Sequence, residues 1–449
     1  MGRLFGTDGV RGIAGSELSP LLAFRLGRAG ALVLAKQVHK PRILVGTDTR
    51  LSCDMLESAL MAGIVSTGAE AVRLGVLPTP AVAHLTRTQG ASAGVVISAS
   101  HNPAKYNGIK FFSSDGHKLP DKTEDEIQAI IEAEETPVFS SDTIGRIHTV
   151  AENTEAYISH AIGTVSTDFK GLRIAMDCAN GATAAIAPEV FRRKGAVVTP
   201  LFCEPNGLNI NDGCGSTHME ALSDFVKNGQ FDIGIAFDGD GDRVLLTDEN
   251  GNIIDGDRIM AVLAIAREKA GLLPSHTLVA TVMSNLGLEI ACRNHGINLV
   301  RTAVGDRYVL EEMQKGGYAL GGEQSGHIIC ADHATTGDGI VSALQFIEIM
   351  QTTGKTASAL ASVMTPLPQV LRNVKIENHL KNTLTSKMEI AQEISRIENS
   401  LADKGRILIR PSGTEPQVRI MLEGEDLASI EKEAEILATL ISDLAQKEK

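Results

Sequence analysis

The stretch Phe231-Asp232-Ile233-Gly234-Ile235-Ala236-Phe237-Asp238-Gly239-Asp240-Gly241-Asp242-Arg243-Val244-Leu245-Leu246 decides the reading of this chain. Its apolar run, Phe231 to Phe237, reads as a buried strand, and Val244-Leu245-Leu246 reads as the next one. Three aspartates lie between them, separated only by glycine. Glycine lets the backbone turn tightly enough for the carboxylates to converge, and three of them make a hard-oxygen site suited to a divalent cation such as Mg²⁺. The competing reading is a calcium loop, because Asp238, Asp240, Asp242 and Glu249 have its ligand spacing. That loop needs a glycine where Arg243 stands and helices where strands flank the cluster, so the reading fails.

The theme of a buried strand, a small or polar turn and then a helix is read three times elsewhere in the chain. It occurs at Gly94–Ile97 before Ser98, at Leu172–Met176 before Asp177 and at Leu278–Val282 before Ser284. Helices are expected to open at Asn180-Gly181 and at Ser284-Asn285. Short β-branched runs alternating with amphipathic stretches indicate an α/β chain with mainly parallel strands. Breaks are expected near 150, after a polar stretch, at the turn cluster Asp248–Asn252, and near Thr365–Pro368. The tail differs. A helical run (Lys387–Leu401) leads to a strand (Arg406–Ile409), a Pro/Gly-rich loop, a strand (Gln417–Leu422) and a helix (Leu427–Ala445). The expected architecture is three related α/β domains with mixed, mainly parallel sheets (1–150, 151–252, 253–366) and a C-terminal α+β domain (367–449).

Bulk properties narrow the function. A chain of 449 residues exceeds one ordinary core and fits about three or more domains. Its net charge of −13 argues against a nucleic-acid or membrane-surface partner, although local basic loops still admit an anionic substrate. No apolar run approaches the ~18 residues of a membrane span, and the N-terminus lacks a signal-like apolar core. Six cysteines without a C-x-x-C pair speak against a zinc ribbon and fit a reducing compartment, so a cytoplasmic protein is expected.

Three further segments carry chemistry. Ser98-Ala99-Ser100-His101-Asn102-Pro103 follows a strand, where open α/β sheets place ligands. A serine carrying phosphate would complete an acidic cation site and could pass the phosphate on. Ser100-His101 does not read as a nucleophile–base pair, since sequence neighbours do not easily face each other. Gly321-Gly322-Glu323-Gln324-Ser325-Gly326-His327 puts Glu, Ser and His, side chains able to hydrogen-bond sugar hydroxyls, on a glycine-flanked turn, and in isolation an ordinary turn is the stronger reading. Arg410-Pro411-Ser412-Gly413-Thr414-Glu415-Pro416, with Arg419, combines amides, hydroxyls and arginines that suit a phosphate cradle, and a simple surface turn is its alternative. Weaker cationic turns are Thr7–Gly12, Asp48-Thr49-Arg50 and Asn107–Lys110. Gly90-Ala91-Ser92-Ala93-Gly94 matches a hydrolase elbow pattern, but its helix precedes it and its strand follows, the reverse of what an elbow needs.

Taken in this order, these segments closely resemble the α-D-phosphohexomutase superfamily across essentially the whole chain. The resemblance implies a central cleft between four domains and phosphoryl transfer through a phosphoserine at Ser100. It implies Mg²⁺ held by Asp238, Asp240, Asp242 and phospho-Ser100. Arg11 and Arg243 would lie beside the transferring phosphate, Lys110 would shuttle a proton, and His327 would lie close to the sugar. Glu323 and Ser325 would grip sugar hydroxyls, while Arg410, Ser412, Gly413, Thr414 and Arg419 would bind the non-reacting phosphate. Phe5–Gly12, Asn209-Ile210-Asn211, Cys214–His218 and Gly322–His327 are most similar to the superfamily's glucosamine-phosphate branch. That implies a hexosamine phosphate substrate and a sugar 1,6-bisphosphate intermediate, in a route to amino-sugar and cell-wall precursors; a homodimer is compatible with it. Ser98 stands where many relatives have threonine, and Cys53 where glycine is frequent. Glucose or mannose phosphates, a metal-dependent phosphatase and a non-catalytic sugar-phosphate binder are the alternative readings.

Overall fold

In the computed structural model, the residues described are 3–6, 8–36, 40–133, 140–150, 153–380, 383, 387–411 and 416–447. They fall into two compact units, Met1–Met283 with His295–Val363, and Ser284–Asn294 with Met364–Lys449.

The first unit contains three sheets. The first sheet joins β1 (Val10–Ile13), β2 (Arg42–Thr47), β3 (Glu70–Val76), β4 (Ala93–Ile97), β5 (Tyr106–Ser113) and β6 (Ile147–Thr149) in the order β1-β5-β4-β2-β3-β6. Its β2, β3, β4 and β6 run parallel, whereas β5 lies antiparallel to both β4 and β1. The second sheet joins β7 (Arg173–Asp177), β8 (Val197–Leu201), β9 (Ile233–Phe237), β10 (Val244–Thr247) and β11 (Ile253–Ile254) in the order β11-β10-β9-β7-β8. The third joins β12 (Thr277–Thr281), β13 (Asn298–Thr302), β14 (Leu320–Gly322) and β15 (Ile328–Cys330) in the order β13-β12-β14-β15. Every residue of β4, β9 and β12 is buried. That matches the near-continuous apolar composition of strands covered on both faces.

Helices begin where the sequence supplies caps. Ser19 accepts from Leu22 N–H at the start of Pro20–Leu34, and Asp255 accepts from Arg258 N–H at the start of Gly256–Lys269. Asp338 caps Gly339–Thr353 and also accepts the buried Tyr157 hydroxyl at 2.8 Å.

Two local expectations are corrected. The loop after β4 leads not to a helix but into antiparallel β5, so the serine loop is a strand-to-strand turn. No helix opens at Asn180, because Ala179 and Asn180 have φ of 53° and 47°, left-handed values a right-handed helix cannot include. The next helix is Ala187–Arg193.

The second unit has an antiparallel sheet, β16 (Gln369–Lys375), β17 (Gly405–Pro411) and β18 (Gln417–Gly424), in the order β16-β18-β17. Its core includes Ile390, Ile397, Val418, Ile420, Leu422, Leu437 and Ile441, contributed by β18 and by helices Met388–Leu401 and Leu427–Lys447. Among the described residues, no helix is long and apolar enough to cross a membrane.

Candidate active site

The site grows from the carboxyl ends of strands in the three sheets of the first unit. β4 ends at Ile97 and β9 at Phe237, and the turns that follow bring Ser100 against Asp238. The Ser100 hydroxyl donates to Asp238 Oδ2 at 2.5 Å. Gly239 is needed here, since a Cβ on it would lie 2.6 Å from the Ser100 carbonyl oxygen. Ser100 itself has φ 51°, a left-handed value whose cost is of order 1–3 kcal/mol for a non-glycine residue.

That strained turn is held from below. Buried Arg50 pairs with buried Asp48 at 2.9 Å and donates to the carbonyls of Ser100 (3.0 Å), Asn102 (2.7 Å) and Pro103 (2.6 Å). Asn211 donates to the Ser100 and Asn102 carbonyls at 2.9 and 3.1 Å. Asp48 accepts from the Ser98 hydroxyl, which accepts from Ser100 N–H. The turn also corrects the expectation for His101. Its Nδ1 lies 3.3 Å from Ser100 Oγ, so these neighbours do meet. Burial, then Arg243 and Arg11, push the His101 imidazole down to about 4.

Asp238, Asp240 and Asp242 are all buried and offer oxygens within 4.8 Å of one another. Burial and the like charges of Asp242 and Asp240 push the Asp238 carboxyl well above its ordinary value. Asp240 Oδ2 accepts from Thr79 Oγ1 (2.6 Å) and Lys110 Nζ (2.8 Å), yet among the described residues its buried Oδ1 has no hydrogen-bond partner, nor does Asp242 Oδ1. Converging carboxylates with orphaned buried oxygens fit a divalent cation.

Around this centre runs a closed circuit of charged side chains. Lys110 Nζ meets Asp8 at 2.9 Å, and Asp8 meets Lys118 at 2.6 Å. Lys118 pairs with Asp306, whose Oδ2 is 3.5 Å from His327 Nε2. His327 Nδ1 lies 3.6 Å from Asp242, and Asp242 lies 3.7 Å from Lys110. Gly337 N–H donates to His327 Nε2 at 3.0 Å, which places the ring proton on Nδ1, towards Asp242. Burial opposes the charge on Lys110, but Asp240 and Asp8 outweigh it and raise its pKa. Arg11 pairs with Asp8.

A pocket of about 520 Å³ opens on this circuit, lined by residues that include Arg11, His101, Arg243, Asp306, Glu323 and His327. Glu323 accepts from Gly305 N–H at 3.1 Å and from the Ser325 hydroxyl at 3.3 Å. The first unit thus brings together Ser100, the three aspartates, Lys110, Arg11, Arg243, His327, Glu323 and Ser325. Arg410 and Arg419 belong to the second unit, where they face each other across β17 and β18. Burial and Arg419 lower the Arg410 pKa. Ser412, Gly413 and Thr414 lie outside the described residues. The sequence reading missed Lys118 and Asp306 altogether, and it read Asp8 and Arg50 only as parts of weak cationic turns. A lone charge on a polar turn gives little signal when its partner is far along the chain.

Four family models match in sequence. They are the phosphoglucomutase/phosphomannomutase alpha/beta/alpha domains I (residues 2–138), II (155–251) and III (255–367), and the C-terminal domain (371–440). The chain belongs to the phosphoglucomutase/phosphomannomutase family. It is 56% identical over 442 residues to the phosphoglucosamine mutase of Caldanaerobacter subterraneus subsp. tengcongensis, covering 98% of this chain and 99% of that one. The phosphoglucosamine mutase of Clostridium novyi is 56% identical over 447 residues, covering 99% and 100%. Among solved structures, a phosphoglucomutase/phosphomannomutase family protein from Burkholderia thailandensis shares the fold with TM-score 0.82 at 23% identity, covering 98% of this chain and 97% of that one. The Aspergillus fumigatus N-acetylphosphoglucosamine mutase, solved with GlcNAc-6P and magnesium, does so with TM-score 0.69 at 17% identity, covering 98% and 96%.

Proposed function

We propose that this phosphohexomutase interconverts glucosamine 6-phosphate and glucosamine 1-phosphate through a phosphorylated Ser100. The observation that carries the reading is the Ser100 hydroxyl at 2.5 Å from Asp238, inside a buried three-carboxylate cluster. The identity to curated phosphoglucosamine mutases supports the choice of sugar.

The chemistry has two half-reactions. Phospho-Ser100 gives its phosphoryl group to the free C1 hydroxyl of glucosamine 6-phosphate, whose proton leaves, and a 1,6-bisphosphate forms. The bisphosphate turns over, the Ser100 oxygen takes the 6-phosphoryl group, and the C6 oxygen takes up a proton in place of the one lost from C1, leaving glucosamine 1-phosphate. Asp238, Asp240 and Asp242 would hold Mg²⁺ with phospho-Ser100, and the cation would offset charge on the transferring group. Arg11 and Arg243 stabilise that group's oxygens. Lys110 moves the proton at the reacting hydroxyl, and His327 holds its ring proton towards Asp242. Glu323 and Ser325 orient the sugar through its hydroxyls. In the second unit, Arg410 and Arg419, with Ser412, Gly413 and Thr414, bind a phosphate; two facing guanidinium groups that repel each other gain from an anion between them.

A coupled assay with glucosamine 6-phosphate and Mg²⁺, run beside intact mass, tests the reading. The expected result is sugar 1-phosphate formation by a protein carrying one phosphoryl group on Ser100, lost in Ser100→Ala with an unchanged melting temperature. Near-native turnover by Ser100→Ala, or release of free phosphate without sugar 1-phosphate, would overturn it.

A further inference from the structure

The pocket is electrically two-sided. Arg11 on β1 and Arg243 at the end of the aspartate loop line one side beside Asp8 and Asp242, while Asp306 and Glu323 line it from the ends of β13 and β14. The two acidic residues are neighbours, since the Gly305 N–H next to Asp306 donates to Glu323. Their partners differ. Glu323 has only neutral donors, Gly305 N–H and the Ser325 hydroxyl, and no ion pair among the described residues. Asp306 accepts from the Arg307 N–H at Oδ1 (2.9 Å), and its only close cation among the described residues is Lys118, which it shares with Asp8; His327 Nε2 lies 3.5 Å away. Burial opposes ionisation of Asp306, but Lys118 holds its carboxyl below the ordinary range.

Arg243 is the cation that offsets this wall at longer range, feeling both Glu323 and Asp306. Once Arg243 and Arg11 turn to a phosphate, the wall is left with two carboxylates and a share of one lysine. A neutral hydroxyl cannot restore that balance, whereas a single ammonium group can, through charge-assisted hydrogen bonds. A hexosamine phosphate has this dipolar form, with phosphate at one end and a protonated amine on the ring.

We propose that Asp306, beside Glu323, is the specificity-determining residue that reads the 2-ammonium group of the substrate. The inference rests on the hexosamine-phosphate reading above and names the side chain behind it. Glu323 serves the hydroxyls of any hexose; Asp306 adds the second negative charge that only the amino sugar uses. Sites built for a charged partner reject analogues that lack it, because their own buried groups are left unpaired.

The test uses the full-length protein with Mg²⁺, measuring kcat and KM for glucosamine 6-phosphate and the inhibition constant of glucose 6-phosphate as competitor. In Asp306→Asn, kcat/KM for glucosamine 6-phosphate is expected to fall at least about tenfold, the scale of one lost charged hydrogen bond. The glucose 6-phosphate inhibition constant is expected to move less than about threefold, since a neutral hydroxyl gains little from the second charge. Equal shifts for both sugars would mean that Asp306 only braces Lys118 and His327, and would overturn the proposal, as would no shift for either. A second measurement needs no variant. The native preference for glucosamine 6-phosphate over glucose 6-phosphate should decline as rising pH deprotonates the sugar amine, and a preference indifferent to that titration refutes the subsite. Failure of the native protein to turn over glucosamine 6-phosphate would remove the underlying reading; turnover with an unaltered sugar preference in Asp306→Asn would remove only this one.

Discussion

Replacing Arg50 with methionine should disable the serine loop without touching a reacting group. Arg50 and Asp48 are a fully buried ion pair, and the guanidinium also supports three consecutive-turn carbonyls. Removing one partner of a buried pair costs about 3–5 kcal/mol, because the other charge stays buried and uncompensated. All three carbonyls keep another donor, Asn211 for Ser100 and Asn102 and the Tyr106 N–H for Pro103, so their lost bonds add only about 1 kcal/mol. These losses overlap, and a total of about 4–6 kcal/mol is the working figure. On a domain of this size 1 kcal/mol shifts the melting temperature by roughly 2–4 °C, so the first thermal transition should drop by roughly 10–20 °C. The left-handed Ser100 should relax once its support is gone. A displacement near 1 Å at the reacting oxygen costs on the order of 100-fold in kcat. Arg50→Lys, which keeps the charge but not the planar fork, should fall between the variant and the native protein. Calorimetry and the coupled mutase assay read both effects. A melting shift below about 4 °C together with turnover within about twofold of native would refute the argument, since both follow from the same ledger of lost contacts.

Two other outcomes follow from buried charge. Mg²⁺ should raise the melting temperature of the metal-stripped protein even without substrate, by about 2.7 kcal/mol of stabilisation at 100 times the dissociation constant. Asp240→Asn should shrink that rise, and a rise unchanged in the variant would contradict cation binding at the triad. The stacked rings of His84 and His160, 3.8 Å apart, predict acid lability. Burial, then His160 and Arg87, hold His84 near 4, while the unfolded chain takes up its proton near 6.5. The folded state therefore binds fewer protons in between, and stability falls as pH drops from about 6.5 to about 4. Melting at pH 7 and pH 5 should differ less in His84→Gln than in the native protein; an equal difference would clear the stack.

Local patterns were legible in the sequence and long-range pairings were not. The aspartate cluster announced itself because glycine spacing and flanking apolar runs are read within a few residues, and β9 and β10 lie where those runs placed them. The tail's two helices and its strands β17 and β18 were readable for the same reason, alternation and helical period within single segments, whereas β16 was not read. Antiparallel β5 was not expected, since strand direction is decided by what a turn allows, and the Ser98–Pro103 turn gave no sign of it. Asn180 looked like a helix start because Asn-Gly is a polar turn, yet its carbonyl is bonded to Thr49 on a distant loop and its φ is left-handed. Lys118 and Asp306 are separated by 188 positions and Asp8 and Lys118 by 110, distances over which one sequence contains no pairing signal.

The charged circuit explains how a cation site can be built from carboxylates that would otherwise repel each other. Lys110, Asp8, Lys118, Asp306, His327 and Asp242 come from β5, from the N-terminal turn before β1 and from the turns after β5, β13, β14 and β9. Asp8 and Asp242 each sit between positive or proton-bearing neighbours and Asp306 beside Lys118, so the repulsion is offset before any ligand arrives. The offset falls on particular oxygens. Asp240 and Asp242 each present Oδ2 to Lys110, while Oδ1 is buried and takes no hydrogen bond among the described residues, Asp242 Oδ1 having only Arg243 Nε at 3.9 Å. One oxygen of each carboxylate therefore fixes its orientation, and the other is kept for a ligand. A neutral substitution at Lys118 would loosen Asp8 and Asp306 together, and through Lys110 and His327 it would reach both aspartates. Residues that never touch the substrate thus set the direction in which the orphaned oxygens point, which is how preorganised charge differs from a mere acidic cluster.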